Sequence, residues 1–221
     1  MRSVFDALRL RRDKRLENQA ADWFVRTRIE STERLFDQAI SVLREVLGST
    51  REPPFDLRDP DRPDSSYLGD IGLDAYVRSY ATESDALPDV MTLLKTGRIE
   101  VAPGHIVFQR ADSSSSHTYY AVEPWFGGQR VHVLSNDGDI FIQLKAAKIR
   151  PPPPWVAFPN FEPPSVLLQG TQQFWFENVW DPFFQSLTLP ERVTYLTEHK
   201  APAEWVEDLS CRLSHPSDSG P

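Results

Sequence analysis

The chain has 221 residues, 40% hydrophobic and 25% charged, which supplies enough apolar material for a core without covalent staples. The single cysteine, Cys211, excludes an internal disulfide, and the absence of any run of about 18 apolar residues excludes a membrane-spanning helix. Residues 1–15 hold six basic and two acidic side chains, so the rest carries 18 basic against 30 acidic residues, a net of −12; a body that acidic repels a phosphate backbone and argues against nucleic acid as a main ligand.

Residues 3–26 are predicted to form a helix, with Leu8, Leu16, Ala20, Trp23 and Phe24 on one stripe at helical spacing. Arg9, Arg11, Arg12, Lys14 and Arg15 crowd its first half. They form either a solvated face or a contact for an acidic partner. A second helix is expected over 28–47. Thr27 and Glu30 have capping-box spacing, Leu35, Phe36, Ala39, Ile40, Leu43, Val46 and Leu47 form the apolar stripe, and Gly48 supplies the stop. The pair reads as a helical hairpin over 1–48, with one long bent rod as the alternative.

Residues 49–69 alternate Pro53, Pro54, Pro60 and Pro63 with Asp and Arg and read as a Pro-rich connector. Short helices are predicted near 73–82 and 86–96, the second closed by Gly97.

Four β-runs follow, at 98–109, 117–125, 129–135 and 139–149. They are separated by a Ser-rich loop (Ser113 to Ser116), by Gly127-Gly128, and by Asn136-Asp137-Gly138, where Asp-Gly between apolar runs is a hairpin signal. Alternation assigns Ile106, Phe108, Tyr120, Val122, Val131, Val133, Ile140, Ile142 and Leu144 to a face packed on helices. The opposite, outer face carries His105, His117, Tyr119, Glu123, Trp125, His132 and Leu134.

Pro151 to Pro154 form a stiff polyproline spacer. A short strand is expected over Val166–Leu168. The stretch from Phe174 to Phe184 then holds six aromatic rings in eleven residues. Most of them are expected to fill a core, leaving Trp175 or Phe184 exposed beside Glu177 and Asp181 as an anchor for a partner. Asp181-Pro182 reads as N-cap and first residue of a helix, Thr188 and Glu191 as the capping box of the next, and Pro202 as the start of a last helix to about Arg212. The body spans 70–213, and residues 214–221 read as a disordered tail.

The expected fold class is α+β: an antiparallel four-stranded meander packed against the N-terminal helical pair and C-terminal helices. No Gly-rich phosphate loop, Gly-x-Ser-x-Gly elbow, His-Glu-x-x-His or paired-Cys motif occurs, so no cofactor is expected. His105, His117 and His132 share strand parity with Glu123 nearby, an arrangement that suits zinc or acid–base chemistry. Asn136-Asp137-Gly138-Asp139 resembles the start of a calcium loop but lacks its closing Glu.

The leading expectation is a cytoplasmic protein-binding protein. In its concrete form it is an inhibitor or immunity-type protein that masks a basic partner through Trp125, Tyr119, Trp175, Glu177, Asp181 and Phe184. The alternatives are a small hydrolase or isomerase on the histidine face, and a subunit attached to a larger assembly through the basic helix.

Overall fold

The computed structural model describes residues 4–48, 66–109, 114–160, 163 and 169–214. The connector over 49–65, the strand expected at 166–168 and the tail from 215 lie outside these residues, as do the side chains of residues 4–18 and of residues 210–214, Cys211 among them. The fold is α+β with helices at both ends, and among the described residues its antiparallel sheet has six strands rather than four.

The elements run α1 (Val4–Phe36), α2 (Ile40–Leu47), β1 (Ser66–Tyr67), β2 (Tyr76–Thr82), α3 (Leu87–Lys95), β3 (Ile99–Ala102), β4 (His105–Gln109), β5 (Ser115–Trp125) and β6 (Gly128–Ser135). Then come α4 (Gly138–Ala146), α5 (Pro154–Ala157), α6 (Thr171–Trp175), a π-helical turn (Phe176–Trp180), α7 (Asp181–Ser186), α8 (Leu189–Glu198) and α9 (Ala203–Ser214). The strand order is β1-β2-β6-β5-β4-β3. The chain divides into two compact units, the first from Met1–Ser79, Lys95–Ala121 and His132–Phe141, the second from Tyr80–Leu94, Val122–Val131 and Ile142–Pro221.

In the first unit, α1 runs unbroken through Thr27 to Phe36, so the expected break at 27 is absent. The chain turns instead at Asp37, whose positive φ of 50° ends the helix. The Glu33 carboxylate then accepts the Ile40 N–H at 2.8 Å and satisfies an open donor at the start of α2. Leu43 and Leu47 on α2 join Phe36, Leu68, Ile71, Leu73, Ala75, Tyr119 and Leu134 in one buried cluster.

The stretch expected to be helical at 73–82 is strand β2. Tyr76, Val77 and Tyr80 suit a pleated surface better than a helix, and Tyr76, Tyr80 and Thr82 are buried at strand parity. The 98–109 run divides into β3 and β4 around Pro103-Gly104. A side chain at position 104 would meet the Tyr120 carbonyl at 2.8 Å, which requires glycine.

Beyond β6, the expected fourth strand at 139–149 is helix α4. Asp137 accepts the Asp139 N–H at 3.2 Å and caps it, so Asp-Gly opens a helix here and does not turn a hairpin. Ile140, Phe141 and Leu144 are buried at helical spacing, whereas Ile142 is exposed. The same Asp137 carboxylate meets Arg98 at 3.0 Å, with both side chains almost wholly out of solvent.

The face assignment is also corrected. Tyr119 and Leu134, placed on the outer face, belong to the core shared with α1 and α2. The other parity is buried as well, at Ile106, Val131 and Val133. Residues Val131–Ser135 of β6 are buried without alternation, as in a strand covered on both faces.

In the second unit, the β5–β6 hairpin turns at Phe126-Gly127, both at positive φ, the signature of a type I′ turn. Pro151 to Pro154 are buried, and Pro154 opens α5 at its first turn. The spacer is therefore part of the packed interior. The core gathers Ala157, Trp175, Phe176, Trp180, Phe184, Tyr195, Trp205 and Leu209.

Pro182 stands in the first turn of α7 as expected, but Asp181 is itself helical and does not cap it. The backbone stays helical from Thr171 to Ser186, and the turn before Pro182 widens, with the Asp181 N–H reaching the Phe176 carbonyl five residues back. Pro182 has no N–H to give and its ring clashes with an α-helical carbonyl, so a wider turn relieves the conflict. The capping box at Thr188 is formed, with the Thr188 N–H on Glu191 Oε2 at 2.7 Å.

Candidate functional site

Two of the three histidines meet. Antiparallel pairing of β4 with β5 places His105 opposite Tyr119 and Val107 opposite His117. That register puts His105, His117 and Tyr119 on one face. His105 Nε2 lies 3.1 Å from His117 Nδ1, and the His105 ring stacks on Tyr119 with centroids 4.1 Å apart. Ser115, two residues before His117 and so on the same face, brings its Oγ within 3.3 Å of His117 Nε2.

The backbone under this cluster is fixed. The His117 N–H donates to Asn136 Oδ1 at 2.7 Å, and the Asn136 amide reaches the Leu47 carbonyl. Burial lowers the pKa of both imidazoles, and for His105 the neighbouring His117 adds to it, so the pair is neutral at neutral pH.

His132 sits apart on β6, buried, with Nδ1 2.8 Å from Ser79 Oγ. Glu123 is exposed, six positions beyond His117 along β5. The expected four-residue site is thus a two-histidine site. Among the described residues, no three His, Cys, Asp or Glu side chains converge as metal ligands.

The expected partner-binding residues separate in the same way. Trp175 and Phe184 are buried in the aromatic core, Trp175 packing edge-on against Phe158 and Phe184 stacking on Trp180. Tyr119 is buried too. Trp125 is half-buried beneath the Arg130 guanidinium, Asp181 is half-buried and accepts from Gln185 at 2.6 Å, and Glu177 is exposed. The exposed ring of the run is Phe174, at 55%. Helical phase decides this: Phe176, Trp180 and Phe184 follow one another four residues apart on the buried side.

An apolar surface the sequence reading did not single out lies along α1. Trp23 and Phe24 are 66% and 55% exposed. With Leu35, Phe36, Leu68 and Val77 they line a groove of about 540 Å³. At one edge Arg28 bridges to Asp70 at 2.8 Å and to the Tyr67 carbonyl at 3.1 Å. Trp23 and Phe24 belong to the stripe expected at helical spacing, and both rings are left open to solvent. Their exposure is the signal that only the structure supplies.

The second unit holds a titratable pair that spacing could not reveal. Glu83, just past β2, and His199, at the C-terminus of α8, are 116 residues apart in sequence. His199 Nε2 lies 3.2 Å from Glu83 Oε1, in ion-pair range but off the hydrogen-bond direction. Burial pushes the Glu83 carboxyl up to about 7, against the pull of Arg150 and with Asp85 and Glu198 adding to the rise. Burial and then Arg150 lower His199, against Glu198 and Asp85. The His199 ring packs against Tyr195 at 4.3 Å, and its carbonyl accepts from Trp155 Nε1 at 3.0 Å.

This pair sets a pH dependence. A carboxyl whose folded pKa exceeds its unfolded value of about 4.3 contributes stability that is complete below that pH and lost as pH rises to about 7. His199 acts oppositely, its contribution being lost as pH falls below about 6.5. Glu83→Gln removes the first effect alone. At pH 8 the variant should be more stable than the parent by about 1–2 kcal/mol, and the two should converge near pH 5. Urea unfolding at both pH values measures it, and parallel curves would show that Glu83 does not titrate there.

No helix of the described residues is long and apolar enough to cross a membrane. In comparisons with known proteins the chain matches no family model, no curated protein and no solved structure.

Proposed function

We propose that the chain is a cytoplasmic protein-binding protein that docks a basic, amphipathic segment of its partner in the apolar groove along α1. The observation that carries this reading is the pair of adjacent exposed rings, Trp23 and Phe24, over an apolar floor. Large aromatics cost solubility when exposed and dominate interface energetics when covered, each ring being worth about 1.5–3 kcal/mol on burial. The net charge of −12 beyond residue 15 favours a basic partner and suits an inhibitor or immunity-type protein that masks one.

The experiment is affinity capture with the intact chain and with a Trp23→Ala/Phe24→Ala variant. A basic protein should be recovered by the parent and bind the variant at least about 30-fold more weakly, as loss of one hot spot of about 2 kcal/mol implies. Both rings are exposed, so the variant keeps its core. Equal capture by the two proteins, or recovery of an acidic partner, would sink the reading.

A further inference from the structure

We propose that Ser115 is a nucleophile for acyl transfer, with His117 as its general base and His105 as the residue that positions that base. The proposal is independent of the groove along α1 and rests on the order of contacts across β4 and β5. Ser115 is exposed, and its Oγ lies 3.3 Å from His117 Nε2. The other nitrogen of the same ring, Nδ1, lies 3.1 Å from His105 Nε2. Nucleophile, base and orienting group thus follow one another through the two opposite nitrogens of a single imidazole, which is the arrangement that activates a hydroxyl.

The tautomers are consistent with this role. When His117 carries its proton on Nδ1 and gives it to His105 Nε2, its own Nε2 holds a lone pair toward Ser115. His105 cannot turn away easily, because its ring is stacked on buried Tyr119. His117 is held through its main chain by Asn136. Burial keeps both imidazoles unprotonated near neutral pH, the state a base requires.

The substrate class that fits an exposed hydroxyl at a strand end is a carboxylic ester with an accessible carbonyl. Ser115 Oγ bonds to the carbonyl carbon while its proton moves to His117 Nε2. The bond from that carbon to the leaving oxygen then breaks, and His117 returns the proton to the departing alcohol. Water enters by the same route, its proton passing through His117 back to Ser115 Oγ, and the product is the carboxylic acid. Water is the co-substrate, and no oxidant, reductant or metal enters the balance.

The test uses the full chain, a fluorophosphonate probe and 4-nitrophenyl acetate as the ester. Intact-mass measurement should show one phosphonyl group, mapped to Ser115, and Ser115→Ala should abolish it. His117→Gln should slow labelling about 100-fold or more, the usual share of a general base. His105→Ala should slow it, and His105→Gln should restore most of the rate, because an amide oxygen can accept the Nδ1 proton. The rate should rise with pH through the lowered His117 pKa and then level off. Trp23→Ala/Phe24→Ala should label like the parent, so the result stands apart from partner docking. Labelling that persists in Ser115→Ala, maps to another residue, or proceeds equally in His117→Gln would overturn the proposal. Ser115 is exposed, so its alanine variant decides the matter whether or not the histidine variants fold.

Discussion

Replacing Trp180 with alanine should cost about 3–5 kcal/mol of unfolding free energy. Trp180 is fully buried, stacks on Phe184 at 4.7 Å and lies 5.2 Å from Phe176. Its indole N–H donates to the Tyr195 hydroxyl at 3.3 Å, and that hydroxyl donates onward to the Pro151 carbonyl at 3.3 Å. The substitution therefore opens a large cavity and removes a donor from a buried hydroxyl. Trp180→Phe should cost much less, since a ring still fills most of the space. Phe174→Ala, in the same run but 55% exposed, should fall within about 0.5 kcal/mol of the parent. Urea unfolding of the three variants measures the contrast. Similar losses at 174 and 180 would contradict the helical phase described for the run.

Arg98→Met should cost about 3–5 kcal/mol, the loss expected when one member of a buried ion pair is removed. Arg98 and Asp137 meet at 3.0 Å with 3% and 2% of their side chains exposed. The guanidinium also lies 5.6 Å from the Phe108 ring centroid. Without that cation the buried carboxylate loses the charge that offsets its burial. Asp137 also caps α4 through the Asp139 N–H, so Asp137→Ala should be as costly as Arg98→Met and should fray that helix. The double variant Arg98→Met/Asp137→Asn should recover a large part of the loss, because it leaves no buried charge behind. Thermal unfolding of Arg98→Met, Asp137→Asn and their double variant closes the cycle. Strict additivity of the two losses would show that the pair is not coupled.

Much of the fold was legible where local chemistry and tertiary demand agree. The hairpin of β5 and β6, helix α3, the capping box at Thr188 and the last helix follow from turn residues, caps and apolar spacing, all of which act within a few residues. The misreadings share one cause. At 73–82, at Asp137-Gly138 and at Asp181-Pro182 a short motif admits two backbone outcomes, and contacts from distant segments choose between them. Asp-Gly becomes a cap because Arg98 holds Asp137, and Asp-Pro sits inside a helix because the aromatic core extends across it. The sheet faces were misassigned because alternation presumes one wet face, and β6 is buried on both.

The candidate site was legible in part for the same reason. Strand parity brought His105 and His117 to one face, and the structure joins them. Parity says nothing of distance along the strands, so His132 and Glu123 fell away. Ser115 was hidden in a serine-rich stretch taken for a loop. Glu83 and His199 became neighbours only through folding, and neither carries a local signal.

The π-helical turn at Phe176–Trp180 decides how this helix answers a change of chain length. Four α-helical residues overshoot a full turn by about 40°, so rings spaced by four would fan sideways. A turn that closes over five residues rotates less per residue and draws the column of Phe176, Trp180 and Phe184 back into line. Removing one exposed residue from this turn, Glu177 or Asn178, would convert it to an ordinary α-helical turn, and because five π-helical steps and four α-helical steps both close about one turn, Phe184 would keep its side of the helix. What the deletion takes away is the room before Pro182, whose ring would then meet an α-helical carbonyl. The extra residue thus serves the proline rather than the aromatic column.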